Sequence, residues 1–201
     1  MNQMIQEIYP NILYYGTPVV LLSTLNEDGT TNITPMSSSW ALGNCIVLGL
    51  GMNGKAAENL RRDRECVVNV PSPDLWENVE ALAPFTGKNP VPEDKKEKGF
   101  SHQKDKFAAA GLTPVKAKNV KPDRIQECPL QMEAEVRHFR IPEYLPFFAI
   151  VEVQATQVYA HQDIMIDSRH VNPAKWSPLI YNFRHYFGAN VELGRTFRSE
   201  T

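Results

Sequence analysis

Cysteine is scarce in this chain, and its spacing excludes more than its number does. Cys45, Cys66 and Cys128 are the three cysteines in 201 residues. Odd in count and far apart, with no Cys-x-x-Cys and no Cys/His pattern, they support neither a disulfide framework nor a zinc site. Cys45 and Cys66 adjoin apolar, strand-like residues, the usual setting of buried thiols. None of the five histidines stands at HxxxH or HExxH spacing, so no metal is expected. Long hydrophobic runs are missing too. The longest early one, Val19 to Leu22, is far too short to cross a bilayer, and no charged n-region precedes an apolar stretch. Neither sign of charge dominates: 21 Lys and Arg against 23 Asp and Glu give −2, with no basic stripe and no acidic tail. These absences predict a cytoplasmic protein with no nucleic acid and no membrane among its partners. The chain is long enough to bury a core without staples.

What is present alternates between hairpins and short helices. Val19–Leu25 and Thr31–Pro35 flank Glu27-Asp28-Gly29 as a β-hairpin. Gly43-Asn44 separates Ser39–Leu42 from the strand Cys45–Leu50. Lys55 to Arg62 reads as a helix with Ala56 and Leu60 on one face and a Glu58–Arg62 pair at i,i+4. Cys66–Val70 is a buried strand stopped by Pro71, and Ser72-Pro73-Asp74 opens a second helix with Leu75, Val79 and Leu82 inward. Residues 84–101, rich in Pro, Gly, Lys and Glu, form a long loop, in which Lys95-Lys96-Glu97-Lys98 is solvated. A third helix runs from His102 to Ala110, capped by Ser101 and Gly111. Leu130–Val136 alternates strictly, a strand with one wet face, and Phe147–His161 is a second long strand beyond Pro142 and Pro146. With no βαβ alternation and no GxGxxG, a doubly wound nucleotide fold is disfavoured. The pattern predicts a mainly β chain with short helices, a barrel with helical decorations, as one domain over residues 1–201.

Chemistry concentrates in two small, polar segments. Thr34, Pro35, Met36, Ser37, Ser38 and Ser39 follow the first hairpin, and Gly51-Met52-Asn53-Gly54-Lys55 joins a strand to a helix start. Unpaired N–H groups at a helix start, glycines that let backbone come close, a lysine and nearby hydroxyls are what a phosphate needs. Asn53-Gly54 reads equally as a plain turn with a helix cap, and the serines as a solvated strand end.

The order of the segments resembles the flavin reductase-like family, whose fold is the FMN-binding split β-barrel of Greek-key type. The resemblance rests on Asn32-x-x-Pro35-x-Ser37, on the polar turn with its cation, on Val67-Val68-Asn69-Val70 and on Cys128-Pro129-Leu130-Gln131-Met132-Glu133. It continues through Val158-Tyr159-Ala160-His161, an aspartate-bearing turn at Asp163–Asp167, and Pro178-Leu179-Ile180-Tyr181 with Arg184 and Tyr186 before Gly188. It implies that Thr34 to Ser39 line the isoalloxazine and ribityl chain, that Gly51 to Lys55 hold the phosphate, and that Asn69 lies beside the site. Arg184 and Tyr186 would approach the flavin from the C-terminal segment, across the interface of a homodimer. Ala56 stands where relatives often carry threonine, and the frequent Pro-Pro before the next strand is replaced by Gly43-Asn44.

The implied function is hydride transfer from NAD(P)H to FMN, which requires no catalytic side chain because the cofactor carries the chemistry. Three other readings stand beside it: a flavin-binding electron carrier fed by a protein partner, an oxidase similar to the pyridoxamine-phosphate family, and a barrel without flavin. His161 and His170 border the C-terminal motif and lie within possible reach of a nicotinamide, though surface histidines are commonplace. Trp40, Trp76 and Trp176 read as core or interface anchors.

Overall fold

The computed structural model describes residues 5–188. Strand β1 (Tyr15–Pro18) leads into β2 (Val20–Leu25), which turns back as β3 (Thr31–Met36). In that turn the Asp28 carboxylate accepts from the Thr30 N–H (3.1 Å) and the Thr30 hydroxyl (2.6 Å), the local bonding that suits aspartate to turns. The second hairpin pairs β4 (Ser39–Leu42) with β5 (Cys45–Gly51), followed by α1 (Lys55–Asp63) and β6 (Glu65–Val70). A single 3-10 turn at Pro73–Leu75 precedes α2 (Trp76–Leu82). Next come β7 (Phe85–Thr86), α3 (Glu93–Lys96), β8 (Ser101–His102), α4 (Lys106–Ala110), β9 (Pro114–Val115) and β10 (Arg124–Ile125). The long strands β11 (Leu130–Arg140) and β12 (Phe148–Ala160) lead to a last hairpin, β13 (Ile180–Asn182) and β14 (His185–Phe187).

Seven strands make one sheet in the order β3-β2-β6-β11-β12-β5-β4. Its two edges, β3 and β4, are consecutive in the chain, with only Ser37 and Ser38 between them. Laid flat, those edges would stand ~28 Å apart. The link from Met36 to Ser39 reaches at most ~11 Å. The sheet must therefore roll until its edges meet at Ser37-Ser38, which yields a barrel with an open seam, the split barrel expected from the sequence.

Period two divides the apolar residues of β2, and Val19 just before it, between two cores. Val20 and Leu22 point into the barrel with Ile46, Leu48, Val68 and Val151, and α1 closes that core with Ala56, Ala57 and Leu60. Val19 and Leu21 point outward with Ile33, under Val79 and Leu82 of α2 and Phe107 of α4. Both faces of β2 are thus dry, and each large aliphatic side chain so buried contributes roughly 1.5–3 kcal/mol.

The structure corrects several local expectations. Gln131 and Glu133, assigned to a wet face of β11, are buried. The segment before β10 covers that face, and its Lys118 and Asn119 N–H groups donate to the Glu133 carboxylate at 2.8 and 2.7 Å. The third helix begins at Lys106 rather than His102: Asp105 is its cap, accepting from the Ala108 N–H at 3.0 Å, while Ser101 and His102 pair with β7. Gly111 does take the left-handed conformation that ends it (φ 63°). Glu58 does not meet Arg62. It pairs with Lys55 and Lys88, and Arg62 turns to Glu27 and Asp63. Of the tryptophans, Trp176 packs against the barrel core, whereas Trp40 and Trp76 are largely exposed.

Candidate functional site

A cavity of about 560 Å³ opens along the seam. One wall is the strand end Thr34–Ser38, and the facing wall is Gly49–Gly51 with Gly54 and Lys55. Tyr14, Tyr181 and Tyr186 close one side, and Leu145, Phe148 and Ile150 supply an apolar floor. The Tyr14 hydroxyl and Ser38 Oγ are 2.9 Å apart, and the Tyr181 ring lies 5.6 Å from both neighbouring tyrosine rings. Tyr186 donates its hydroxyl to Glu80 at 3.0 Å. Burial, with that bond to Glu80, pushes its phenol well above the ordinary tyrosine range.

The seam explains which expected residues share this space. Thr34, Pro35, Met36, Ser37, Ser38, Gly51, Gly54, Lys55 and Tyr186 all line it. Ser39 is outside this lining and borders a separate small pocket with Trp40 and Trp176. Met52 and Asn53 lie outside the wall, and the Asn53 amide donates to Asp94 at 2.6 Å. Asn69 is buried in the outer core. Its amide donates to Leu21 O at 2.9 Å and Ser23 Oγ at 3.1 Å, and its oxygen accepts from the Ile125 N–H at 3.0 Å. Arg184 sits exposed in the β13–β14 turn at φ 68°, away from the lining. His161 Nε2 lies 2.8 Å from Gln126 O and His170 beside Asp167, neither in the wall. Among the described residues no cluster could hold a metal ion.

The loop after α2 supplies what the sequence did not reveal. Thr86, Gly87, Lys95, Phe100 and Lys106 all face the cavity. Lys106 is 2% exposed and donates from Nζ to Ile33 O at 2.8 Å. Burial, with Lys95 nearby, pushes its ammonium down to about 8. Burial likewise lowers Lys95, which caps the Phe100 ring at 5.8 Å. Lys106 has no carboxylate partner among the described residues, and for Lys95 the attraction of Asp94 only partly offsets burial. Lys55 is different. Its Nζ donates to Glu27 at 2.8 and 2.9 Å and to Glu58 at 2.8 Å. Burial pulls the Lys55 ammonium down, but the two carboxylates outweigh it and hold it above the usual lysine range. The sequence carried no signal for Lys106: a helix read from His102 puts this lysine past the first turn, and its burial depends on Ile33 far upstream.

The chemistry of this space is asymmetric. One end gathers three lysines and a helix start, and the other offers tyrosines and aliphatic side chains. Between them stand the hydroxyls of Thr34, Ser37 and Ser38. The buried Asn32 Oδ1, which has no hydrogen-bond partner, lies against Gly87 of the lining. A planar ring joined to a polyol and a phosphate fits such a donor and acceptor set, and the volume is in the range of small-molecule sites.

Comparison with known proteins agrees with this chemistry. The flavin reductase like domain matches residues 12–190. The uncharacterized protein YdfE of Bacillus subtilis (strain 168) is 61% identical over 196 residues, covering 98% of this chain and 95% of that one. Among solved structures, flavoredoxin of Desulfovibrio vulgaris (Miyazaki F) has a TM-score of 0.80 at 20% identity, covering 98% of this chain and 100% of that one. A split-barrel structure from Shewanella frigidimarina NCIMB 400 has a TM-score of 0.73 at 15% identity, covering 92% and 87%. Domain match, barrel and cavity agree: the chain belongs to the flavin reductase-like family.

Proposed function

We propose that this protein is an FMN-dependent oxidoreductase that takes hydride from NAD(P)H. The observation that carries the reading is the pairing, in one cavity, of a hydroxyl-lined and then apolar wall with two lysines that form no salt bridge to a described residue. Lys106, Lys95 and the start of α1 would hold the phosphate. Thr34, Ser37 and Ser38 would hold the polyol, and the tyrosines and Phe148 would shield the ring from water. Bound flavin supplies the two-electron chemistry, and no side chain is assigned an acid, base or nucleophilic role. Lys55 contributes less than its position suggests, because Glu27 and Glu58 already neutralise it.

The purified protein is expected to be yellow or to take up FMN, and to consume NAD(P)H in its presence. A colourless protein that neither binds FMN nor consumes NAD(P)H would sink the reading. Binding without consumption would point to an electron carrier fed by a protein partner.

The depressed Lys106 ammonium sets a pH dependence. Below about 8 it is charged and ready for a phosphate, and above it the free protein holds a neutral amine. FMN affinity should therefore fall as pH rises past about 8, by up to tenfold per pH unit for one linked proton. Riboflavin, which lacks the phosphate, should show no such slope. A flat FMN profile from pH 7 to 10 in isothermal titration would remove Lys106 from the phosphate.

A homodimer in the cytoplasm completes the proposal. No helix among the described residues is long and apolar enough to cross a membrane. The edge strand β4 leaves Trp40 and Leu42 exposed, a surface a second copy would cover. Sedimentation mass decides this, and a stable flavin-loaded monomer would overturn it.

A further inference from the structure

We infer that the loop of residues 87–100 closes the phosphate end of the cavity and so selects the flavin mononucleotide over FAD; this rests on the flavin reading above. FAD carries an adenylate beyond its first phosphate, so it needs a way out of the cavity at that end. Two features of the loop obstruct that route.

The loop backbone first presses on the wall. A Cβ added at Gly87 would lie 2.5 Å from Asn32 Oδ1 and 3.0 Å from Lys55 Cγ. Glycine alone permits this approach of the loop to β3 and the start of α1. The loop is also tied down beyond that point. Lys88 pairs with Glu58 on α1. Asp94 accepts from the Asn53 amide at 2.6 Å, just before α1. At the loop's far foot Lys104 pairs with Asp28 at 2.7 Å, on the tip of the β2–β3 hairpin. Each tether is weak alone at a surface, but Lys88 and Asp94 hold the loop to α1 and the turn before it, and Lys104 holds the chain just after the loop to the β2–β3 hairpin.

The charge inside matches a terminal phosphate. Lys95 comes from the loop and Lys106 from its foot; Lys106 has no carboxylate partner among the described residues, and Asp94 only partly offsets the burial of Lys95. A phosphate monoester carries close to two negative charges at neutral pH, and a diester oxygen pair only one.

Fluorescence titration of the purified full chain with riboflavin, FMN and FAD tests this. The unaltered protein should bind FMN at least tenfold more tightly than FAD. In a Lys88→Ala/Asp94→Ala double variant the FMN-to-FAD ratio should fall at least fivefold, with riboflavin affinity unchanged. Gly87→Ala, which forces the loop or Asn32 outward, should lower the ratio in the same direction; thermal unfolding shows whether each variant is folded. Equal FMN and FAD affinities in the unaltered protein would overturn the inference while leaving the flavin reading intact. So would a ratio that neither folded variant moves. Failure of riboflavin, FMN and FAD alike to bind would instead remove the flavin reading, and this inference with it.

Discussion

Lys106→Met should weaken FMN binding about 10- to 150-fold, the equivalent of ~1.5–3 kcal/mol for a bond to a charged partner. Riboflavin binding should not change. Lys106 is buried at the foot of the loop, its Nζ fixed 2.8 Å from Ile33 O on the strand that forms the cavity wall. A cation so held is already desolvated and oriented, and a phosphate beside it gains a charge-assisted bond without rearrangement. Methionine keeps most of the side-chain volume and removes a buried charge, so the fold should hold or gain stability. Lys55→Ala makes the informative comparison. Lys55 already serves Glu27 and Glu58, so its loss acts mainly by uncovering two carboxylates near the phosphate. If Lys106→Met leaves the FMN dissociation constant unchanged in isothermal titration, the assignment of the phosphate to this corner is wrong.

Glu133→Ala should cost the fold about 3–5 kcal/mol, the scale of breaking a buried charge network by removing one partner. For a chain of this size that lowers the melting temperature by roughly 6–20 °C. Glu133 is fully buried on β11. Its carboxylate accepts from the Lys118 and Asn119 N–H groups and, at 2.9 Å, from the Tyr159 hydroxyl. Arg124 lies 4.0 Å over the Tyr159 ring and donates to Gln131 at 2.9 Å. Alanine leaves two backbone donors and a phenol without acceptors under the covering segment. Glu135→Ala, two positions along and half-exposed, should stay within ~0.5 kcal/mol as a surface change. Urea unfolding of the two variants tests the claim, and a Glu133→Ala loss below ~1 kcal/mol would show that water replaces the carboxylate.

The readable features and the hidden ones separate along a physical line. Both hairpins, α1 and β6 could be read because turn chemistry and apolar period are properties of chain neighbours. Asp28 bonds to Thr30, Ala56 and Leu60 share a helix face, and the alternation of β2 sorts Val20 from Val19. The segment Thr34–Ser38 and the cation at Lys55 were likewise visible as a polar pair of strand ends. Period was misleading where burial depended on a distant cover. Gln131 and Glu133 alternate like a wet face, yet a segment upstream in the chain buries them. Lys95, in a stretch that reads as a solvated loop, instead faces the cavity. Asn69 shows the converse: the family resemblance implies a residue beside the ligand, and its bonds to Leu21 and Ile125 make it a core fastener.

The sequence by itself determined the first two hairpins, α1, β6 and the two long strands, because turn chemistry and apolar period are local. That β3 and β4 are the sheet's edges, joined by two residues, came from the tertiary structure. Only the tertiary structure decided which lysines keep an uncommitted charge. Lys106 reaches Ile33 across 73 positions and Lys55 meets Glu27 across 28. Such meetings follow from the rolling of the sheet and the folding of the loop, and no local pattern encodes the resulting balance of desolvation and pairing.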